Sequence, residues 1–548
     1  MPCAVESQWL MWRPVVFNLL GKTIKNVLGL GLIMLAAGGR RKEIVMDGGK
    51  QRGKKGIRGA DGKMDRRAFL TAVGAGAAAC ALPGAVKASE GERPNFVFIF
   101  ADDQDYEALR ALGNDEVLTP NLDRLVRGGT TFTHAYNMGS WSGAVCVPAR
   151  TMLMTGLTVW NAHEAHQGNL DEAFVEQGRF WPQLLEQAGY ETYMTGKWHV
   201  SADAHAAFNY VTNVRPGMPN VFPNNVPEGY DRPVEGEEDP WSPWDRDFGG
   251  YWEGETHWSV VLAEDAEGFL EQAGERDAPF FMYLAFNAPH DPRQSPQEYV
   301  EKYPLDDVDT PENFKPEYPY NEEIGSGRGL RDERLAPFPR TEYAVQVHRQ
   351  EYYAIITHMD TQIGRILDAL DATGKADNTY VIFTADHGLA VGQHGLMGKQ
   401  NMYDHSVRVP FVITGPDIPE DHRIEAPIYL QDALPSTLEL AGEAIPEHVE
   451  FASFVPVIRG EAEATHEAIY GGYIERQRMV THNGKKLLLY PEAGVARLYD
   501  LEEDPLELND LADDPESEPV MRELFAVLQD LQTKFNDDLD LTETFPEL

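Results

Sequence analysis

The sequence predicts an α/β fold: one large domain with a mainly parallel central sheet flanked by helices, then a small α+β subdomain with an antiparallel sheet. Two observations carry this. From Arg93 onward, short apolar runs alternate with amphipathic helices, the order that builds a parallel sheet covered by helices. Beyond about residue 467 the pattern changes to closely spaced short strands and one last helix. The chain has 548 residues, enough for a large core and a smaller one.

Taken in order, residues 1–63 are an unassigned basic extension, and Met64 is expected to be the true start. Residues 64–88 open with Asp65-Arg66-Arg67-Ala68-Phe69-Leu70, continue in a short Ala-rich run and leave through small residues. This resembles a twin-arginine signal peptide and implies export to the periplasm or beyond. The apolar run is too short to span a bilayer comfortably, so no stable membrane insertion is expected.

The large domain is read over residues 93–446. Residues 95–100 (NFVFIF) form a buried strand that ends in Ala101-Asp102-Asp103. A helix starts at Thr119-Pro120, a polar cap with proline in the first turn, and stops at Gly128-Gly129. Strands are expected at 190–194, ending in Gly196-Lys197-Trp198-His199, and at 279–286, ending in Pro289-His290-Asp291-Pro292. Ile355, Met359, Ile363, Ile366, Leu367 and Leu370 keep helical spacing in a long helix closed by Gly374. A fourth strand, 379–384, ends in Ala385-Asp386-His387-Gly388. The subdomain, 467–548, should hold strands at 468–473, 479–481 and 486–490 and a helix over 519–535.

Charge and cysteine count limit the function. The formal net charge is −41, and residues 1–63 hold twelve Lys/Arg against four Asp/Glu, so the rest is more acidic still. Such a chain excludes nucleic acid or an anionic membrane as partner. An anionic substrate would need a local basic pocket. Of the three cysteines, Cys3 and Cys80 lie in the leading segments, which leaves Cys146 as a lone thiol, either a buried bystander or a reactive group.

Each of the four strands delivers polar or charged residues at its carboxyl end, where open α/β sheets build their sites. Asp102, Asp103 and Asp386 would repel one another there unless a cation held them, and oxygen donors favour calcium or magnesium. Taken alone, an Asp-Asp pair is as readily a cap or a solvated turn. The deciding element is Cys146-Val147-Pro148-Ala149-Arg150, followed by Thr155-Gly156. With the Asp-Asp, Gly-Lys-Trp-His, Pro-His-Asp-Pro, Asp-His-Gly and Gly398-Lys399 segments in order, it resembles the signature of the sulfatase family. The resemblance covers roughly residues 93–515 and takes in the tail stretch Leu498-Tyr499-Asp500-Leu501 with Asp504-Pro505.

The resemblance implies an alkaline-phosphatase-like fold and a sulfuric ester hydrolase acting on a sulfated sugar or polysaccharide. It also implies a formylglycine made from Cys146 by a formylglycine-generating maturation enzyme, and one calcium ion on Asp102, Asp103, Asp386, His387 and residue 146. Having His387, where many relatives carry Asn, brings the chain nearer to polysaccharide and iduronate-type sulfatases. Arg150 would hold the nucleophile, Lys197, His290 and Lys399 the sulfate oxygens, and His199 would act as base, with His290 or Lys399 protonating the leaving alcohol. Pro148 suits a first helical turn, with Cys146 expected just before it. Gln104-Asp105-Tyr106 departs from the commoner family form. Two rivals remain: a phosphodiester or phosphonate ester hydrolase on the same scaffold, and an inactive sulfated-glycan-binding protein.

Other segments leave alternatives open. Trp241, Trp244, Trp252 and Trp258 are a sugar platform or packing for an insertion. Arg328, Arg331, Arg334 and Arg340 are a basic rim or are neutralised by Asp332 and Glu333. His394 is expected to shape the loop carrying Lys399, while His163 and His166 read as surface.

Overall fold

The computed structural model describes residues 93–219 and 229–548, which belong to one compact unit. The leading segments read above (1–63 and 64–88) lie outside the described residues. Among the described residues no helix is long and apolar enough to cross a membrane.

Eight strands form the central sheet. In chain order they are β1 (Asn95–Asp102), β2 (Thr130–Phe132), β4 (Glu191–Lys197), β5 (Tyr210–Arg215), β6 (Phe280–Pro289), β7 (Thr379–Ala385), β8 (Phe411–Thr414) and β9 (His422–Ile424). The spatial order is β9-β2-β8-β7-β1-β6-β4-β5. The five strands β7-β1-β6-β4-β5 run parallel, while β8 is antiparallel to β7 and to β2. Central strands of a parallel sheet are covered on both faces, so they need uninterrupted apolar sequence. NFVFIFAD in β1 is buried at every position for that reason.

Helix α1 (Pro120–Arg127) begins where the sequence places it, but its cap differs. Thr119 makes no capping bond; its hydroxyl accepts from the Arg110 amide at 3.0 Å and donates to Asp123. The free amides of Asn121 and Leu122 instead meet the Asp360 carboxylate at 3.1 and 2.8 Å. Asp360 sits on the long helix α5 (Glu342–Ala372), which Thr341 caps by accepting from the Ala344 amide. That helix packs on α4 (Trp258–Gly274) and α1.

A second sheet has five strands in the order β13-β12-β11-β10-β3. These are β3 (Gly139–Ser140), β10 (Ala468–Tyr473), β11 (Gln477–His482), β12 (Lys485–Tyr490) and β13 (Val495–Asp500), with α6 (Glu518–Lys534) packed on it. β3 comes from far up the chain and pairs in parallel with β10, Gly139 against Gly472 and Ser140 against Tyr473. This edge pairing anchors the residues that lead into helix α2 (Cys146–Thr155) and, after it, α3 (Val159–Gln167).

Candidate active site

Five parallel strands aim their carboxyl ends at one side, and the chemistry collects there. Asp102 closes β1 and Asp103 follows it; Lys197 closes β4 with His199 two residues on; His290 follows β6; Asp386 and His387 follow β7. Cys146 is the first residue of α2, inside the first turn rather than just before it, and Arg150 stands one turn on. All are buried except His199, which is partly exposed.

The candidate ligand atoms of Asp102, Asp103, Cys146, Asp386 and His387 lie within 4.8 Å of one another. The Cys146 Sγ is 3.4 Å from an Asp102 oxygen and 3.3 Å from the His387 Nε2. The His387 Nδ1 faces the Gly388 carbonyl at 3.0 Å, which orients Nε2 toward the cluster. Burial and the neighbouring Asp386 push the Asp102 carboxyl well above its usual range. Burial acts against charge on His387 too, but Asp386 and Asp103 outweigh it and hold the imidazole up to about 9.

Cations ring the cluster. Lys197 bonds the Asp102 carboxylate, and the Lys399 Nζ donates to both Asp103 oxygens at 2.8 and 2.7 Å. Arg150 donates from Nε to Asp386 at 3.0 Å and from Nη1 to the Lys197 carbonyl at 3.0 Å, above the Phe100 ring. His290 approaches Asp103 at 3.8 Å. Burial alone would raise the Cys146 thiol; Lys197, Lys399 and His387 outweigh it and hold the group well below its usual range. Burial holds the His199 imidazole below its usual range, although the neighbouring Cys146 acts the other way.

Two of these residues carry backbone strain. Asp103 and His199 have φ of 70° and 55°, the left-handed region that non-glycine residues avoid unless held there. The Tyr352 hydroxyl holds the first turn, donating to the Asp103 carbonyl at 2.7 Å and accepting from the Asp105 amide at 2.9 Å. Gly217 makes room for the His199 ring: a Cβ there would fall on it, closer than atoms can approach.

Other expectations resolve as follows. Arg331 pairs with Asp291 and Asp332, Arg340 with Glu333 at 2.5 Å, Arg328 with Glu317 at 3.0 Å and Arg334 with Asp231 at 2.8 Å, so the arginine stretch is neutralised. Trp241 and Trp252 are buried, the Trp258 indole donates to Glu253 under Arg215, and only Trp244 is exposed, at 39 %. The tryptophans therefore mostly pack the insertion. His394 stacks on Tyr403 at 4.0 Å between ring centroids. His163 and His166 are not free surface: both rings pack against Trp141. Sequence reasoning missed Trp141, Gly217 and Tyr352.

Carboxylates, a thiol and cations gathered at the carboxyl edge of this mixed sheet are the arrangement of an ester hydrolase of the alkaline-phosphatase-like fold. A solved phosphonate monoester hydrolase from Agrobacterium radiobacter shares that fold, with TM-score 0.64 and 24 % identity over 81 % of this chain and 96 % of its own. So does a structure solved in complex with its substrate D-glucosamine-2-N,6-O-disulfate, with TM-score 0.62 and 22 % identity over 82 % of this chain and 99 % of its own. The sulfatase family model matches residues 94–443, and the model of the N-sulphoglucosamine sulphohydrolase C-terminal region matches residues 392–534. The chain belongs to the sulfatase family and is a sulfuric ester hydrolase. It is 25 % identical to an N-acetylglucosamine-6-O-sulfatase of Bacteroides thetaiotaomicron, over 85 % of this chain and 91 % of that one. It is 27 % identical to an ulvan-active sulfatase of Formosa agariphila, over 82 % of this chain and 83 % of that one.

Proposed function

We propose that the chain removes sulfate from a sulfated carbohydrate, with Cys146 converted to formylglycine by a maturation enzyme and one calcium ion held in the site. The observation that carries this is the convergence of three carboxylates, His387 and Cys146 within 4.8 Å, inside a ring of cations. Three buried carboxylates repel, and a hard divalent cation with oxygen ligands removes that repulsion, so the donor set fits calcium. Asp102, Asp103, Asp386, His387 and residue 146 would hold it. When bound, calcium and formylglycine supply a polarising charge and an oxygen nucleophile.

The chain's own residues do the rest. Arg150 fixes Asp386 and the end of β4. Lys197, Lys399 and His290 neutralise sulfate oxygens as charge shifts onto them, where a buried site makes each charge count more than in water. His290 or Lys399 gives a proton to the departing alcohol. His199, partly exposed and close enough to residue 146 to feel its charge, takes up the proton released as residue 146 is regenerated. The catalytic domain extends over 93–446 and the subdomain over 467–548. Export by a twin-arginine-like signal fits Arg66-Arg67 and the run that follows.

The relatives suggest the first substrates to assay, N-acetylglucosamine 6-sulfate and ulvan oligosaccharides. Matured protein should release sulfate from at least one such sugar and lose that activity when a chelator removes calcium. Faster turnover of a matched phosphodiester or phosphonate ester would assign the chain to the other ester class instead.

A further inference from the structure

A cavity of about 500 Å³ opens beside the site, lined in part by Trp141, Ser142, Val147, His163, His166 and His199. Two features bear on what it could hold. First, it adjoins the chemistry: Val147 is the residue after Cys146, and His199 stands two residues beyond Lys197, which bonds Asp102. Cys146, His290 and Lys399 are only 2–4 % exposed, so the partly exposed His199 marks where a bound substrate leads outward. Second, its lining contains no Asp or Glu, although the chain has 88 of them. A cavity of about 710 Å³ elsewhere on the molecule is lined by Glu107, Asp115, Glu116, Asp309 and Glu312 together with Arg349, Arg408 and Arg423. In so acidic a protein, a wall without carboxylates of its own is where an anionic sugar meets less repulsion than elsewhere.

The wall is also built for a ring. β3 pairs with β10 up to Ser140, so the small sheet fixes the next residue, Trp141. His163 and His166 stand three residues apart on one face of α3. Their rings pack against the indole, with centroids at 5.3 and 5.6 Å, His163 stacked nearly parallel to it at 13° and His166 tilted at 43°. The His166 Nδ1 has no hydrogen-bond partner. The result is a rigid aromatic plate with polar nitrogens beside it, suited to the apolar face and the substituents of a pyranose.

We propose that this cavity is the subsite for a second sugar ring, the one linked to the ring that carries the scissile sulfate, and that Trp141, His163 and His166 set the preference for an oligosaccharide. This rests on the carbohydrate reading above. Trp141 and the two histidines here bind substrate and take no part in the chemistry.

The test compares kcat/KM for the sulfated monosaccharide that the matured enzyme hydrolyses best with kcat/KM for the disaccharide that extends it by one sugar, with 4-nitrophenyl sulfate as a third substrate. The wild type should prefer the disaccharide at least about tenfold, the effect of one good aromatic contact. In Trp141→Ala that ratio should fall toward one, mainly through KM, while Trp141→Phe keeps most of it. His166→Ala, on a helix face outside the core, reads the same ratio should Trp141→Ala fail to fold. A ratio unchanged in every folded variant overturns the subsite and leaves the carbohydrate reading standing. A wild type that cleaves 4-nitrophenyl sulfate but no sulfated sugar overturns the carbohydrate reading, and the subsite with it.

Discussion

Arg150→Ala gives the sharpest test of how the site is held. The guanidinium is fully buried, donates to Asp386 at 3.0 Å and to the Lys197 carbonyl at 3.0 Å, and lies 3.8 Å from an Asp102 oxygen. At that separation and an effective dielectric near 20, each charge pair contributes about 4 kcal/mol, which desolvation partly offsets. Removing one partner of such a buried pair leaves the other uncompensated, at a cost of about 3–5 kcal/mol. Urea unfolding followed by tryptophan fluorescence, in the presence of a chelator, should show that loss. Calcium should shrink it, because a bound cation again balances Asp102 and Asp386. Arg150→Lys should fall between, since one ammonium cannot span both acceptors. A variant within about 1 kcal/mol of wild type in chelator would refute the reasoning, because no buried charge could then have been left unbalanced.

Three further outcomes follow from particular contacts. Lys399→Ala should cost more on an alkyl sulfate than on an aryl sulfate, because a poor leaving group needs the proton or charge that Lys399 brings; equal losses on both would remove it from that role. Gly217→Ala should cut turnover at least about tenfold while shifting Tm little, since its Cβ displaces the His199 ring rather than core packing; wild-type turnover would mean that ring position does not matter. Burial pushes the Asp360 carboxyl up from 3.8 to about 6, so the folded state binds its proton more tightly than the unfolded. That contribution is full below about pH 3.8 and lost as the pH rises through about 6. Asp360→Asn lacks it, so the Tm advantage of wild type over the variant should shrink between about pH 4 and pH 6.5; an advantage that grows over this range contradicts the assignment.

The elements most legible in the sequence were those with the strongest physical demand on composition. β1, β6 and β7 are central and covered on both faces, so their runs are uninterrupted, and the structure extends each by one to three residues past the expected end. β2, β3 and β9 hold two or three residues each and lie away from the buried centre of the sheets, too short for any period to register. The cap of α1 shows another limit. Thr119 has the right chemistry at the right place, yet Asp360, 239 residues beyond the Asn121 amide it accepts from, does the capping. The site followed the same rule. Its charged residues stand at strand ends or, like Arg150 and Lys399, in short motifs and were readable as such, whereas Tyr352, Gly217 and Trp141 act through contacts that join distant segments. The arginine stretch illustrates the converse, since its positive charge is spent on Asp291, Asp332, Glu333, Glu317 and Asp231.

The central claim is that residue 146 works as an aldehyde, and the mass of the proteolytic peptide that contains it tests this most directly. Protein co-expressed with a maturation enzyme should give a peptide about 18 Da lighter than the thiol form, or nearly unchanged if the hydrate persists, and in either case captured by a hydrazide probe. An intact thiol that alkylates fully and ignores the hydrazide, despite a working maturation enzyme, would contradict the account.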